Sequence, residues 1–188
     1  MRQTLVTPAA SQPVTLAEAK AQCRVLSSDE DTYLNGLIAA ATTHVEKQTG
    51  RAILAQTWRL TLEGFADEIT LPQSPLRSVA SVTYLPPVGA AQTLSSSVYT
   101  VDTTSTPGRI VLAVDQEWPE TLDSVNAVTI EYQAGYDAAP APIKHAILLL
   151  IAHWFAHREA VNVGNITSEL PMAVDALLKN YRAYGFVA

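Results

Sequence analysis

Pro140-Ala-Pro-Ile-Lys-His-Ala-Ile-Leu-Leu-Leu-Ile-Ala-His-Trp-Phe-Ala-His-Arg-Glu-Ala160 decides how this chain is read. Pro140 or Pro142 suits the first turn of a helix, where a missing N–H costs no hydrogen bond. The run beyond is apolar on almost every side and must be covered by neighbours all round. A chain of 188 residues supplies only part of that cover, so the segment points to assembly as well as to fold. Its longest uncharged apolar run, Ala146 to Ala152, is far short of the roughly 20 residues that span a bilayer.

Working outward, the composition is that of an ordinary globular protein, long enough for one domain or one domain with an insertion. The net charge of -6 argues against a freestanding nucleic-acid-binding protein, which carries a basic face. Cys23 is the only cysteine, so no internal disulfide forms, in keeping with a reducing compartment. The N-terminus has no long apolar stretch of the kind a signal peptide needs, and the expectation is a soluble, cytoplasmic chain. Without export, the glycosylation sequon Asn165-Ile-Thr167 is a chance match.

Three zones follow one another: helical (14–50), β-rich (51–137) and helical again (138–183), with an extended tail at 184–188. Thr15 as N-cap and Glu18 at N3 form a capping box for a first helix running to about Val25. Ser27 and the acids Asp29, Glu30 and Asp31 start a second, whose apolar stripe is Leu34, Leu37, Ile38, Ala41 and Val45. Gly50 is its C′ residue. Then the period changes. Trp58, Leu60 and Leu62 alternate with polar residues, as on a half-buried strand. Further strands are expected over Glu68–Leu71, Ser78–Leu85, Ser97–Asp102, Arg109–Ala113 and Asn126–Gln133. Turn chemistry separates them and no helical crossover does, so they pair antiparallel. The helix from Pro140 ends near Glu159. Pro171 begins a last one, striped by Val174, Leu177, Leu178 and Tyr181. The fold class expected is α+β: a mainly α-helical bundle of four principal helices, with an antiparallel β-rich insertion between the second and third.

Chemical motifs are few. His153 and His157 share a helix face, the spacing zinc proteases use, but Trp154 stands where those enzymes need a Glu. The plainer reading makes both histidines, with Lys144 and Arg158, the polar edge of a mostly buried helix. The Asp29-Glu-Asp31 cluster lacks the alternation and glycine of a calcium loop, and there is no Walker loop, G-x-G-x-x-G or G-x-S-x-G. No cofactor or metal is expected. Tyr184, Phe186 and Val187 lie beyond the last helix, where a monomer has little left to bury them; they suit docking on a partner by strand addition.

One ordered set of segments remains: Pro13-Val-Thr-Leu-Ala-Glu-Ala-Lys20, the acidic helix start, Val45-Glu-Lys-Gln-Thr-Gly-Arg-Ala-Ile-Leu-Ala-Gln-Thr-Trp58, Leu71-Pro-Gln-Ser-Pro-Leu-Arg-Ser-Val79, Ile130-Glu-Tyr-Gln-Ala-Gly-Tyr136 and Pro142-Ile-Lys-His-Ala-Ile-Leu-Leu-Leu-Ile-Ala-His-Trp154. In this order they resemble the head–tail connector (adaptor, or head-completion) proteins of long-tailed double-stranded DNA phages and of phage-derived gene transfer agents. The resemblance covers nearly the whole chain, and no single motif carries it.

What it implies is a structural subunit, not an enzyme. Such subunits form a ring, commonly twelvefold, beneath the portal. The ring extends the DNA channel and offers a platform to the stopper or tail-completion protein. Assembly would begin in the host cytoplasm and end at the head–tail junction of the particle. DNA would pass without sequence-specific binding, and no membrane is involved. The resemblance places portal contact on the C-terminal segment, here Tyr181, Tyr184, Phe186 and Val187. Subunit packing falls to the central helix through Ile147, Leu150, Ile151 and Trp154, since ring contacts are heterologous and must close. The acidic balance suits a channel wall that does not grip phosphate. The competing readings are a stopper or tail-terminator ring component, and a metal-dependent hydrolase using His153 and His157.

Overall fold

The computed structural model describes residues 1–158 and 172–183. In chain order the elements are β1 (Arg2–Thr7), α1 (Leu16–Cys23), α2 (Asp31–Thr49), β2 (Gln56–Leu62), β3 (Glu68–Leu71), β4 (Leu76–Tyr84), β5 (Gln92–Thr93), β6 (Tyr99–Asp102), β7 (Gly108–Leu112), β8 (Val128–Ala134), α3 (Ala141–Ala156) and α4 (Met172–Leu178), with a 3-10 turn at Lys179–Tyr181. They form two compact units. A β-unit takes Met1–Ala10, Gly50–Tyr136 and Ala183, and a helical unit takes Ser11–Thr49 and Asp137–Arg182.

In the helical unit the capping box expected for α1 forms. The Thr15 hydroxyl accepts the Glu18 N–H at 3.3 Å, and the Glu18 carboxylate accepts the Thr15 N–H at 3.0 Å. Two free donors at the start of α1 are satisfied reciprocally. The helix stops earlier than expected, at Cys23, because Arg24 adopts a left-handed conformation (φ 56°) and its N–H closes back on the Ala21 carbonyl. Ser27 does not cap α2. Asp31 N–H bonds to the Ser28 carbonyl in a tight turn, and the Asp31 carboxylate takes Lys20 Nζ at 2.6 Å, which delays the helix to Asp31. Leu34, Ile38, Ala41, Val45 and Thr49 are its buried positions, and Gly50 follows at φ 66°. In α3 the buried residues are Ile143, Ala146, Ile147, Leu150 and Ile151. That spacing is one helical face, which packs on α1, α2 and α4. Leu148, Leu149, Ala152, Trp154 and Phe155 remain half-buried.

The β-unit holds two antiparallel sheets, one in the order β1-β2-β8-β4-β5 and one in the order β3-β7-β6. β8 is the centre of the larger. Val128, Ile130, Tyr132 and Ala134 all point to the core, opposite Leu62, Leu60, Trp58 and Gln56 on one side and Tyr84, Val82, Val79 and Leu76 on the other. The alternation read in Trp58, Leu60 and Leu62 is therefore the inner face of a sheet. Gly108 lets the smaller sheet approach the larger: a Cβ there would lie 2.5 Å from the Leu76 Cβ.

The α+β class and four helices match the sequence reading. The sheet, however, is not made by the insertion alone. β1 precedes the first helix and pairs antiparallel with β2 as an edge strand. Its Leu5 and Val6 stay largely exposed, so it shows no alternating burial by which a sequence would betray it. β5 was also unexpected; two residues are too short to carry a period.

Candidate functional site

The far end of α3 collects the aromatic and cationic groups of the helical unit. Trp154 meets the His44 ring of α2 edge-on at 5.9 Å, and Phe155 lies 6.1 Å from Tyr33. The Arg158 guanidinium sits over both rings, 4.6 Å from Tyr33 and 4.7 Å from Phe155, and pairs with Glu30 at 2.9 Å. Cation–π contact and an ion pair together anchor the helix end. His153 and His157 do share a face, with ring centroids 4.7 Å apart. His157 Nδ1 donates to the His153 carbonyl oxygen at 2.9 Å, which turns that nitrogen back onto its own helix. Among the described residues no group of three or more His, Cys, Asp or Glu side chains is arranged to hold a metal.

The residues assigned to subunit packing divide. Ile147, Leu150 and Ile151 are fully buried within the chain itself. They are spent on the core of the helical unit, so in this conformation they have no surface left for a second subunit. Trp154 keeps part of its surface. Of the residues assigned to the portal, Tyr181 is half-buried in the 3-10 turn. Tyr184, Phe186 and Val187 lie outside the described residues. Cys23 is half-buried, and desolvation raises its thiol pKa, which leaves it a poor nucleophile.

Two surfaces of the β-unit went unread in the sequence. The outer face of the larger sheet is a shallow groove of about 600 Å³, lined by Arg2, Thr4, Thr61, Thr83 and Thr129 around an Arg59–Glu131 ion pair of 2.6 Å. Hydroxyls dominate it, and the ion pair cancels its own charge. Ser81, also in the lining, stands across the strands from Glu131, whose carboxylate is engaged by Arg59, so the arrangement offers polar contact. The second surface is a cluster of loops held by aromatics. Phe65 stacks on Trp118 at 4.7 Å with the planes 2° apart, and Tyr84 meets Phe65 at 5.9 Å. The stack joins residues more than fifty positions apart, and no local pattern announces it.

A third set of groups stiffens the smaller sheet. Asp102 accepts from the Thr104 and Ser105 N–H and hydroxyl groups, which hold its carboxyl well below the usual carboxylate range. Arg109 bridges Asp102 at 3.1 Å and Glu68 at 2.9 Å, tying β6, β7 and β3 together.

Comparison with known proteins bears on the whole chain. Residues 14–184 match the family model described as head completion protein. Among solved structures, a chain in the neck of an empty gene transfer agent (GTA) particle, computed with C6 symmetry, is 22% identical with a TM-score of 0.81; the match covers 100% of this chain and 98% of that one. A chain in the virion of a native GTA particle is 21% identical with a TM-score of 0.80, over 100% and 98% of the two chains. A third, in the neck of a native GTA particle computed with C12 symmetry, is 21% identical with a TM-score of 0.74 and the same coverage. These likenesses establish a shared fold over the full length. No curated protein matches the chain closely enough to count as a relative.

Proposed function

This chain belongs to the head completion protein family, and from that premise we propose that it is a head–tail connector subunit, one copy of a ring seated beneath the portal of a tailed phage or gene transfer agent particle. The observation that carries the reading is the family match over residues 14–184, joined by full-length likeness to chains in particle necks. The C6 and C12 symmetries of those necks favour a ring, and a twelvefold ring is the reading that fits both.

In this reading the four helices are the bundle of the connector, and the role is mechanical. The ring lengthens the DNA channel and gives the stopper or tail-completion protein a place to dock. DNA passes without sequence-specific contact, in keeping with a net charge of -6. Every basic contact to phosphate adds affinity and would slow exit. The portal contact is assigned to Tyr181, Tyr184, Phe186 and Val187, and subunit contact on α3 to Trp154. Assembly starts in the host cytoplasm and finishes at the head–tail junction. No catalytic step is assigned. His153 and His157 serve as the polar edge of α3, supported by the turn of His157 Nδ1 onto the backbone.

The test is a particle preparation in which this chain is missing. DNA-filled heads should accumulate without tails, and adding the purified chain should restore joining. Heads that acquire tails without it would overturn the connector reading. Metal analysis of the purified chain should find no bound metal, and His153→Ala and His157→Ala should leave joining unchanged; a bound metal that these variants lose together with joining would revive the hydrolase alternative. Cross-linking on the particle should capture the portal on one side, which separates a connector from a stopper or tail-terminator.

A further inference from the structure

One end of the β-unit is built from loops 63–67, 85–91 and 113–127, fastened to each other more firmly than connecting loops need to be. The Phe65–Trp118 stack is their base. Leu122 N–H donates to the Leu85 carbonyl at 2.8 Å, and Leu85 N–H donates to the Ala127 carbonyl at 2.8 Å. Around Leu85, aliphatic side chains are turned to solvent: Val88 is 89% exposed, Val125 74% and Leu122 40%. Val114, which opens the longest of these loops, is 88% exposed. A single exposed aliphatic residue needs no explanation, but several on loops pinned in place resemble the apolar centre of a contact.

The charge around them has one sign. Glu63, Asp67, Asp115, Glu117, Glu120 and Asp123 are all exposed on the same loops, which contain no Lys or Arg. We propose that this end of the β-unit docks a second, different protein of the particle, one whose contact face sets basic residues around an apolar centre. The proposal rests on the connector reading and adds where on the subunit a partner sits.

Charge complementarity selects this occupant. DNA would be repelled by the acids, as would an anionic membrane surface. A second copy of this chain fits poorly, because it carries a net charge of -6. Half of its twelve lysines and arginines already stand in ion pairs: Lys20, Arg59, Arg109, Lys144, Arg158 and Arg182. A basic protein face would gain twice: apolar anchors bury at the centre, and the acid rim steers the encounter.

Two variants test this in the joining assay with heads that lack the chain. Val88→Asp/Val125→Asp changes exposed tips and should leave the thermal melt as in wild type. It should reduce tailed particles by roughly tenfold or more. Glu117→Lys/Glu120→Lys should slow joining and flatten its dependence on salt. The step lost, sedimentation with heads or joining of tails, tells on which side the partner lies, and loss at either supports the surface. Wild-type yield and salt dependence in both variants would overturn it. If the wild-type chain itself restores no tails, the connector reading fails, and this proposal falls with it.

Discussion

Glu18 and Lys144 meet at 2.5 Å, joining the first turn of α1 to the first turn of α3. The same carboxylate completes the Thr15 capping box. One side chain thus closes a helix start and ties it to the most apolar helix of the chain. The hydrogen bond from Lys144, with the two from Thr15, lowers the Glu18 pKa from 4.5 to about 2.

The pH dependence follows from that direction. A carboxylate with a depressed folded pKa contributes stability that is full above its unfolded value and lost as pH falls through the folded one. Glu18→Gln keeps a residue able to close the capping box and removes only the charge. The pair is partly exposed, so the cost should stay within about 1 kcal/mol at neutral pH. Urea midpoints measured against pH should show the gap between wild type and variant widest above pH 4.5 and closing towards pH 2. A gap that stays constant to pH 2 would remove Lys144 from the account.

Among the described glycines, Gly135 is the one most intolerant of a side chain. Its φ is 118°, and an added Cβ would stand 2.0 Å from the Leu54 carbonyl oxygen. Left-handed strain alone costs about 1–3 kcal/mol, and the clash with backbone adds to it. Gly135→Ala should lower stability by more than about 2 kcal/mol, read as a shifted urea midpoint. An unchanged midpoint would mean that the turn after β8 is held less closely.

Leu150→Ala and Trp154→Ala should separate core from contact. Leu150 is fully buried, so its truncation should cost about 2–5 kcal/mol. Trp154 is half-buried beside His44. Its truncation should cost less in the melt yet reduce ring formation on heads, as counted by electron microscopy. Normal rings with Trp154→Ala would take the subunit contact away from this face of α3.

Removing residues 184–188 tests the tail. The shortened chain should melt as the full one does and fail to sediment with portal-bearing heads. Retained binding would move the portal contact elsewhere.

Much of the fold was legible because its causes are local. Thr15 and Glu18 are three residues apart, so their capping box is written in four letters. The α2 stripe of Leu34, Ile38, Ala41 and Val45 repeats every three or four residues, and Trp58, Leu60 and Leu62 alternate within five residues. Family membership was legible too, through an ordered set of segments over nearly the whole length. The interaction surfaces were not. Nothing near Phe65 announces Trp118, and nothing in Arg2–Thr7 marks an edge strand until β2 is beside it.

What the sequence by itself determined is therefore the type and approximate place of most of the main elements, since capping and periodicity act over a few residues. Only the tertiary structure decided that β8 lies between β2 and β4, that β1 joins the sheet from ahead of the helices, and that Ile147, Leu150 and Ile151 face the chain's own core. Those outcomes depend on which distant apolar surfaces cover one another, and burial is a property of the packed chain rather than of any stretch of it.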